Sequence, residues 1–376
     1  MKKNFKTIIA MMSGTSLDGI DACLVKIFED LSFKILDSHS LDYPQAVKDE
    51  LLAAANNNAS TKDICFLNFV VGELFALCAN ELVAKAKIKS SDVDFISSHG
   101  QTVFHIPQDL EIGGVKTKST LQIGDISVIS EKTGIATVGD FRTKDMAAGG
   151  LGAPLVPFAD EILFGRKNSR AIQNIGGISN VTIVSPQCET FAFDNGPGNM
   201  LIDYFAKKLF DLDFDKNGDF ASKGNIDQKW LNKLLEEEYY SLIPPKTTGR
   251  ELFNNDYAEK IYLSAPKDKY DVMATITALT ARVIADSYKK FVLPKAPIEE
   301  LVLGGGGAYN KTLIKLLQEY LPQIKVKTHE DFDIPNKLKE ALAFAYLGYF
   351  TMENKPNNLP VCTGAKKPVV MGKISF

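Results

Sequence analysis

Apolar positions along the chain fall into short runs and long ones. The runs Thr7 to Met12, Ile20 to Phe28, Asp94 to Ser97, Ser169 to Ile175, Val181 to Ser185, Phe191 to Asp194 and Leu301 to Leu303 are brief and bounded by polar or glycine-rich stretches. They predict strands. Ser32 to Leu41 predicts a further strand, and Val369 to Ile374 a last one. Longer stretches with apolar residues at helical spacing predict helices over Ala46 to Asn56, Ser60 to Ala86, Asn199 to Leu209, Trp230 to Glu238, Val272 to Lys290, Lys311 to Tyr320 and Leu338 to Phe350. The second of these starts at Thr61 to Asp63. Lys85 to Lys89 put positive charge near its end, where the helix dipole favours it. Thr133 to Phe141 is another apolar run, ending at Asp140-Phe141-Arg142. Strands alternating with helices place the chain in the α/β class.

One plan occurs twice. Thr7 to Phe28 reads as strand, polar glycine turn, strand, and Ser169 to Ser185 reads the same way around Gly176-Gly177-Ile178-Ser179-Asn180. No identity repeat accompanies this likeness, which points to two lobes of related architecture. Between them, AAGGLGAPLVP (Ala147 to Pro157) reads as a linker or as a loop at the crevice between lobes. Two domains also suit the length, 376 residues, because single cores rarely grow past about 250–300 residues.

Composition narrows the partners. With 45% hydrophobic and 24% charged residues there is ample material for a core. A net charge of −3 gives no electrostatic reason to expect nucleic acid or an anionic membrane. The five cysteines, Cys23, Cys65, Cys78, Cys188 and Cys362, form no CxxC pair and read as reduced cytosolic thiols. The four histidines lack HExxH spacing, so no zinc site is expected. The start, MKKNFKTIIAMM, has the basic tip of a signal peptide, but its apolar run is short and no small-residue cleavage site follows. It is expected to be the first strand. Ile64 to Ala79, interrupted by Asn68, Gly72 and Glu73, is expected to be too short and too polar to span a bilayer. A soluble, cytoplasmic protein follows as the expectation.

The turns carry the candidate chemistry. In the first, Ser13-Gly14-Thr15-Ser16-Leu17-Asp18-Gly19, with Asp21 just beyond, glycine lets backbone N–H groups approach a phosphate and the hydroxyls add donors. Asp18 and Asp21 would then face Mg²⁺ rather than phosphate. The same turn also reads as a hairpin whose Asp and Ser side chains satisfy its own backbone. A second turn, NIGGISN, would grip phosphates from the other side. A third, LGGGGAYN (Leu303 to Asn310), has bare backbone that would admit an adenine ring or phosphates. No GxxxxGK[ST] is present, and Tyr309 breaks GxGxxG spacing in the third turn, so a P-loop is excluded and a dinucleotide fold is weak. In FDNGPGN, Asp194 stands at a strand end, as a general base or as a turn residue. His99 in HGQT reads as a sugar contact or a loop residue, Arg142 as a carboxylate clamp or a surface ion pair, and Glu340 as a crevice acid or an exposed one.

Together these segments resemble one family along the whole chain. GTSLDGID, SSHGQT, VGDFR, GGLGAPLVP, NIGGISN, FDNGPGN, PPKTTGRELFN, GGGGAYN and KEALAFA are similar, in order, to the motifs of the anhydro-N-acetylmuramic acid kinases. Asn195 stands where Thr is usual in the family, and Thr247 where Ser is usual. The resemblance implies an α/β fold of two actin-like and sugar-kinase-like (ribonuclease H-like) lobes around a deep central cleft. The lobes are expected at 1–134 plus 365–376, and at 135–364. It implies ATP and Mg²⁺ as cofactors, a 1,6-anhydro-N-acetylmuramic acid substrate from peptidoglycan recycling, and a homodimer. It implies Asp194 as catalytic base. Gly14, Thr15, Ser16, Leu17, Asp18, Gly19, Ile20, Asp21, Asn174, Gly176, Gly177, Gly305 and Gly306 would bind nucleotide, with Asp18 and Asp21 on the metal. His99, Asp140, Arg142 and Glu340 would bind sugar. A conventional sugar kinase of the same superfamily and a non-enzymatic ATP-switched module are the alternatives.

Overall fold

The protein is described by a computed structural model over residues 3–14, 17–165, 167–249 and 252–376. Its elements alternate as the class requires. Strand β1 (Phe5–Ser13) pairs antiparallel with β2 (Gly19–Phe28), and β2 with β3 (Phe33–Asp42). Helices Gln45–Ala55 and Thr61–Lys85 return the chain to β4 (Phe95–Ile112), parallel to β1 on its other side. β4 folds back into β5 (Val115–Ile123). Helix Ile126–Thr133 then leads to β6 (Thr137–Gly139), parallel to β4.

Side chains alternate across a strand, so this sheet has two buried faces. Ile9, Met11 and Ile96 share one core with Phe75, Cys78 and Leu82 of helix Thr61–Lys85. On the opposite face Ser97 donates to the Phe344 carbonyl at 2.6 Å, in helix Lys339–Met352. Ser60 and Asp63 close a capping box at the start of helix Thr61–Lys85, satisfying two orphan N–H groups. That helix corrects one expectation. At 25 residues and a mean hydropathy of 1.5 over its most apolar window, it is long and apolar enough to cross a membrane, and half of that window is buried inside the structure.

The second unit repeats the plan. β7 (Arg170–Ile175), β8 (Ile178–Val184) and β9 (Phe191–Pro197) form an antiparallel meander; β10 (Glu300–Gly304) joins β7 in parallel, and β11 (Lys325–Thr328) joins β10 in parallel. The strand orders β3-β2-β1-β4-β6 and β9-β8-β7-β10-β11 are the same arrangement. The likeness between the two hairpins in sequence is therefore a duplicated ribonuclease H-like topology. Helix Lys269–Ser287 is buried along almost its whole length against Val181, Phe193, Leu201 and Leu303.

The chain finally returns to the first unit, where β12 (Lys373–Ser375) pairs antiparallel with β6. The units comprise Met1–Leu163 with Lys337–Phe376, and Phe164–Asn336. These borders differ from those expected at 134/135 and 364/365. β6 is hydrogen-bonded to β4, and helix Lys339–Met352 lies on the first sheet, so both segments belong to the first unit. Ala147 to Pro157 is likewise part of that unit rather than a linker between domains. Beyond the predicted strand Asp94 to Ser97, which begins β4, the rest of the hairpin β4–β5 and helices Ile126–Thr133, Val156–Phe164 and Asn255–Tyr262 have no counterpart in the apolar pattern.

Candidate active site

The first glycine turn is shorter than its motif. Gly19, Ile20 and Asp21 are residues of β2, opposite Asp42, Leu41 and Ser40. Ile20 is buried in the core, so as a side chain it does not reach a nucleotide. A Cβ on Gly19 would lie 2.3 Å from the Leu41 carbonyl oxygen, so this glycine lets β3 come close. The loop proper runs from Gly14 to Asp18; Thr15 and Ser16 lie outside the described residues. Leu17 adopts φ 61° and its N–H reaches Gly14 O at 3.3 Å. Gln101 Nε2 donates to Gly14 O at 3.1 Å, and Ser13 Oγ lies 2.7 Å from Gly19 O, bracing the neck of the turn. The glutamine of HGQT thus serves the turn, a role that only the tertiary pairing of β1 with β4 reveals.

The two carboxylates expected to face metal differ. Asp18 is exposed on the turn. Asp21 Oδ1 accepts from the Ser40 hydroxyl at 2.6 Å and lies 3.1 Å from Lys337 Nζ, so its charge is already matched by an ammonium. Among the described residues no three His, Cys, Asp or Glu gather as a metal cage. Mg²⁺ carried by a nucleotide keeps several waters and asks for only one or two protein carboxylates. Asp18 fits that demand and Asp21 does not.

A second cluster centres on Arg142. Asp140, in the left-handed region at φ 55°, precedes helix Phe141–Ala147 and is held by the Thr143 hydroxyl and by Lys373. His99 departs from its expected role as a sugar contact, because it is 4% exposed and both ring nitrogens are engaged within the protein. Arg142 Nε–H donates to Nε2 at 3.1 Å, so the proton sits on Nδ1, 2.9 Å from Gly100 O. Burial, then the Arg142 charge, push the His99 pKa down to about 3, so the ring is neutral. Arg142 Nη1 donates to Gly152 O at 2.7 Å. Burial lowers its pKa to about 10 against the pull of Glu340 and Asp145, which leaves it charged at neutral pH. Glu340 is exposed in the first turn of helix Lys339–Met352. His99 braces the guanidinium; Asp140 and Arg142 are partly exposed and Glu340 is exposed.

In the second unit the three remaining motifs converge. β7, β9 and β10 run parallel, so their carboxyl ends lie at one end of the sheet, where open α/β sheets bind ligands. Asp194 pairs with Asn180, Asn180 with Asn174, and Asn174 with Gly304. This row of direct partners crosses four strands on one face of the sheet. Asn180, the last letter of NIGGISN, escapes a reading that stops at the glycines. Gly198 and Asn199 N–H donate to Gly177 O and Gly176 O at 2.8 and 2.7 Å, tying GPGN onto the hairpin turn. A Cβ on Gly198 would lie 2.3 Å from Gly176 O, so only glycine fits there. Gly305, at φ 77°, packs beside Ile175 O and Asn174, and Asn336 clasps its N–H and C=O at 2.9 Å each. Beneath the turn, Gln173 Nε2 donates to Asn180 O and Asn195 Oδ1 at 2.8 and 2.9 Å, and Asn195 Nδ2 donates to Ser287 Oγ at 2.7 Å. Asn195 is thus a fully buried strut, consistent with its place beside Asp194.

The family model for anhydro-N-acetylmuramic acid kinase matches residues 6–376. The chain belongs to this family. It is 45% identical over 387 residues to the anhydro-N-acetylmuramic acid kinase of Caldanaerobacter subterraneus subsp. tengcongensis, covering 100% of this chain and 98% of that one. To the enzyme of the same name from Clostridioides difficile it is 44% identical over 377 residues, covering 98% of this chain and 97% of the other. The protein is therefore a kinase, a transferase of sugar metabolism. In kinases of this kind the protein chiefly positions and neutralises charge, with little covalent chemistry of its own. Glycine turns at strand ends, with the Asp194 carboxylate inside β9, suit that task.

Proposed function

We propose that this kinase uses ATP and water to open the internal C1–O6 bridge of 1,6-anhydro-N-acetylmuramic acid and phosphorylates O6. The products are N-acetylmuramic acid 6-phosphate and ADP. The observation that carries this reading is Asp194 itself. It is a carboxylate on a strand, in one row with Asn180, Asn174 and Gly304, beside turns built of bare backbone. A group so placed suits a base working next to a phosphate site.

Asp194 takes a proton from water; the oxygen adds to C1 as the C1–O6 bond breaks; O6 attacks the γ-phosphorus and ADP leaves. Water attacking opposite the departing oxygen follows the logic of inverting glycosidases. Gly14, Leu17 and Asp18 of the first turn, and Gly176 and Gly177 of the second, are assigned to the phosphates. Asn174, Gly305 and Gly306 are assigned to the nucleotide's other parts. Asp18 would hold Mg²⁺ through water, and the ion when bound neutralises phosphate charge. Arg142, its Nε and Nη1 occupied by His99 and Gly152, is assigned to the lactyl carboxylate, with Asp140 and Glu340 nearby for hydroxyls. The reaction belongs in the cytoplasm, where ATP is supplied, and a homodimer is the expected assembly.

Mass analysis of the product tests this. The expected phosphosugar is heavier than phosphorylated anhydrosugar by one water. A phosphate ester that keeps the bridge would make this a conventional sugar kinase and overturn the hydrolytic step.

A further inference from the structure

Consecutive residues of the loop 246–248 close on Asp194. The Lys246 carbonyl accepts the Asp194 N–H at 3.1 Å. The Thr247 hydroxyl donates to Oδ2 at 2.7 Å, and the Thr248 N–H donates to the same oxygen at 2.9 Å. From another segment the Tyr239 hydroxyl donates to the Asp194 carbonyl at 2.9 Å. Backbone contacts come with the path of the loop whatever its sequence. The Thr247 hydroxyl is a side-chain contact that a substitution removes. Thr247 is exposed, so water would satisfy its hydroxyl equally well, and burial does not explain its inward bond. Its β-branch narrows the choice of χ1, which keeps the hydroxyl aimed.

We propose that Thr247 is a positioning residue of this kinase: its hydroxyl holds the Asp194 carboxylate in one orientation and in its charged form, ready to receive the proton of the attacking water. The proposal rests on the reading of Asp194 as general base. A carboxylate oxygen that accepts two donors is stabilised as the anion, and the second donor restricts rotation of the carboxylate. Among the described residues the charged neighbour that senses Asp194 is Lys246, with Lys290 behind it. Lys246 Nζ donates to the Tyr239 and Tyr240 carbonyls at 3.1 and 3.4 Å, and burial followed by Lys290 lowers its pKa to about 8. Below neutral pH Lys246 is charged. Lys246 does not change charge over that range, so the acid limb of the pH–rate profile is assigned to the carboxylate.

The test compares Thr247→Val, Thr247→Ala and Thr247→Ser with Asp194→Asn, measuring kcat, both KM values, the pH profile and the melting temperature of the full chain. Val and Ala are expected to lower kcat about tenfold with both KM values nearly unchanged, and to move the acid limb to higher pH. Ser restores the hydroxyl and is expected to stay within about threefold of the parent with the parent profile. The alanine variant carries the comparison if valine disturbs the loop. An unmoved acid limb in both Val and Ala overturns the proposal, as does a serine variant as slow as valine. If Asp194→Asn is inactive while Val and Ala behave like the parent, the positioning role falls and the base stands. If Asp194→Asn is active, the base assignment itself falls.

Discussion

Asp194→Asn is expected to lower kcat by about 10³-fold while leaving ATP binding within about twofold. The amide keeps an oxygen for the Thr247 hydroxyl and the Thr248 N–H, so the local structure survives. What it loses is the capacity to take a proton. Water at neutral pH is a poor nucleophile toward an acetal carbon, and the C1–O6 bond has no other driving base in this scheme. The backbone of β9 is unchanged, so the turns at Gly176, Gly177 and Gly305 keep their places, and nucleotide affinity measured by calorimetry reports them separately. Turnover near the parent's would rule out Asp194 as base. Equal loss of turnover and ATP affinity would show a structural role instead.

Asp145→Ala has the second large effect, and on stability first. Asp145 is fully buried. Its Oδ2 accepts the Gly152 N–H at 2.9 Å, and its Oδ1 accepts the Asn358 amide and the Thr363 hydroxyl, each at 2.8 Å. One side chain therefore ties the Gly-rich segment before Val156 to the turn before Gly364. Removing it leaves three buried donors without an acceptor and opens a void. The expected cost is about 3–5 kcal/mol, read from denaturant midpoints. The Gly152 carbonyl is what Arg142 Nη1 leans on, so the surviving folded fraction is expected to show a raised KM for the sugar with little change in KM for ATP. A variant as stable as the parent would mean that the three donors find water, and would contradict this picture of the segment.

The two hairpins, most helices and the α/β class are legible because they rest on periodic burial, which a chain declares residue by residue. β5 is not, since Val115, Thr117 and Ser119 alternate with Lys116, Lys118 and Thr120 and offer no buried face. The unit borders are not, because β6 is three residues long and owes its place to β4 and β12. The site divides in the same way. The glycine turns stand out by residue type at strand ends, and Asp194 as the lone carboxylate closing an apolar run, although β9 continues past it to Pro197. Gln101, Asn180 and Thr247 do not, because each acquires its role from a partner far along the chain: Gly14, the Asp194 row, and the Asp194 carboxylate. The sequence does not show the partner that the structure gives His99, which is Arg142. Its burial and its bond to Arg142 exist only once β4 and the helix after β6 are side by side.

Turnover in ¹⁸O-water, quenched before the anomeric hydroxyl exchanges, tests the hydrolytic coupling most directly. One heavy atom is expected at the anomeric oxygen of the phosphosugar, and none in its phosphate. Label in the phosphate, or a product with no label at C1, would show that water does not open the bridge.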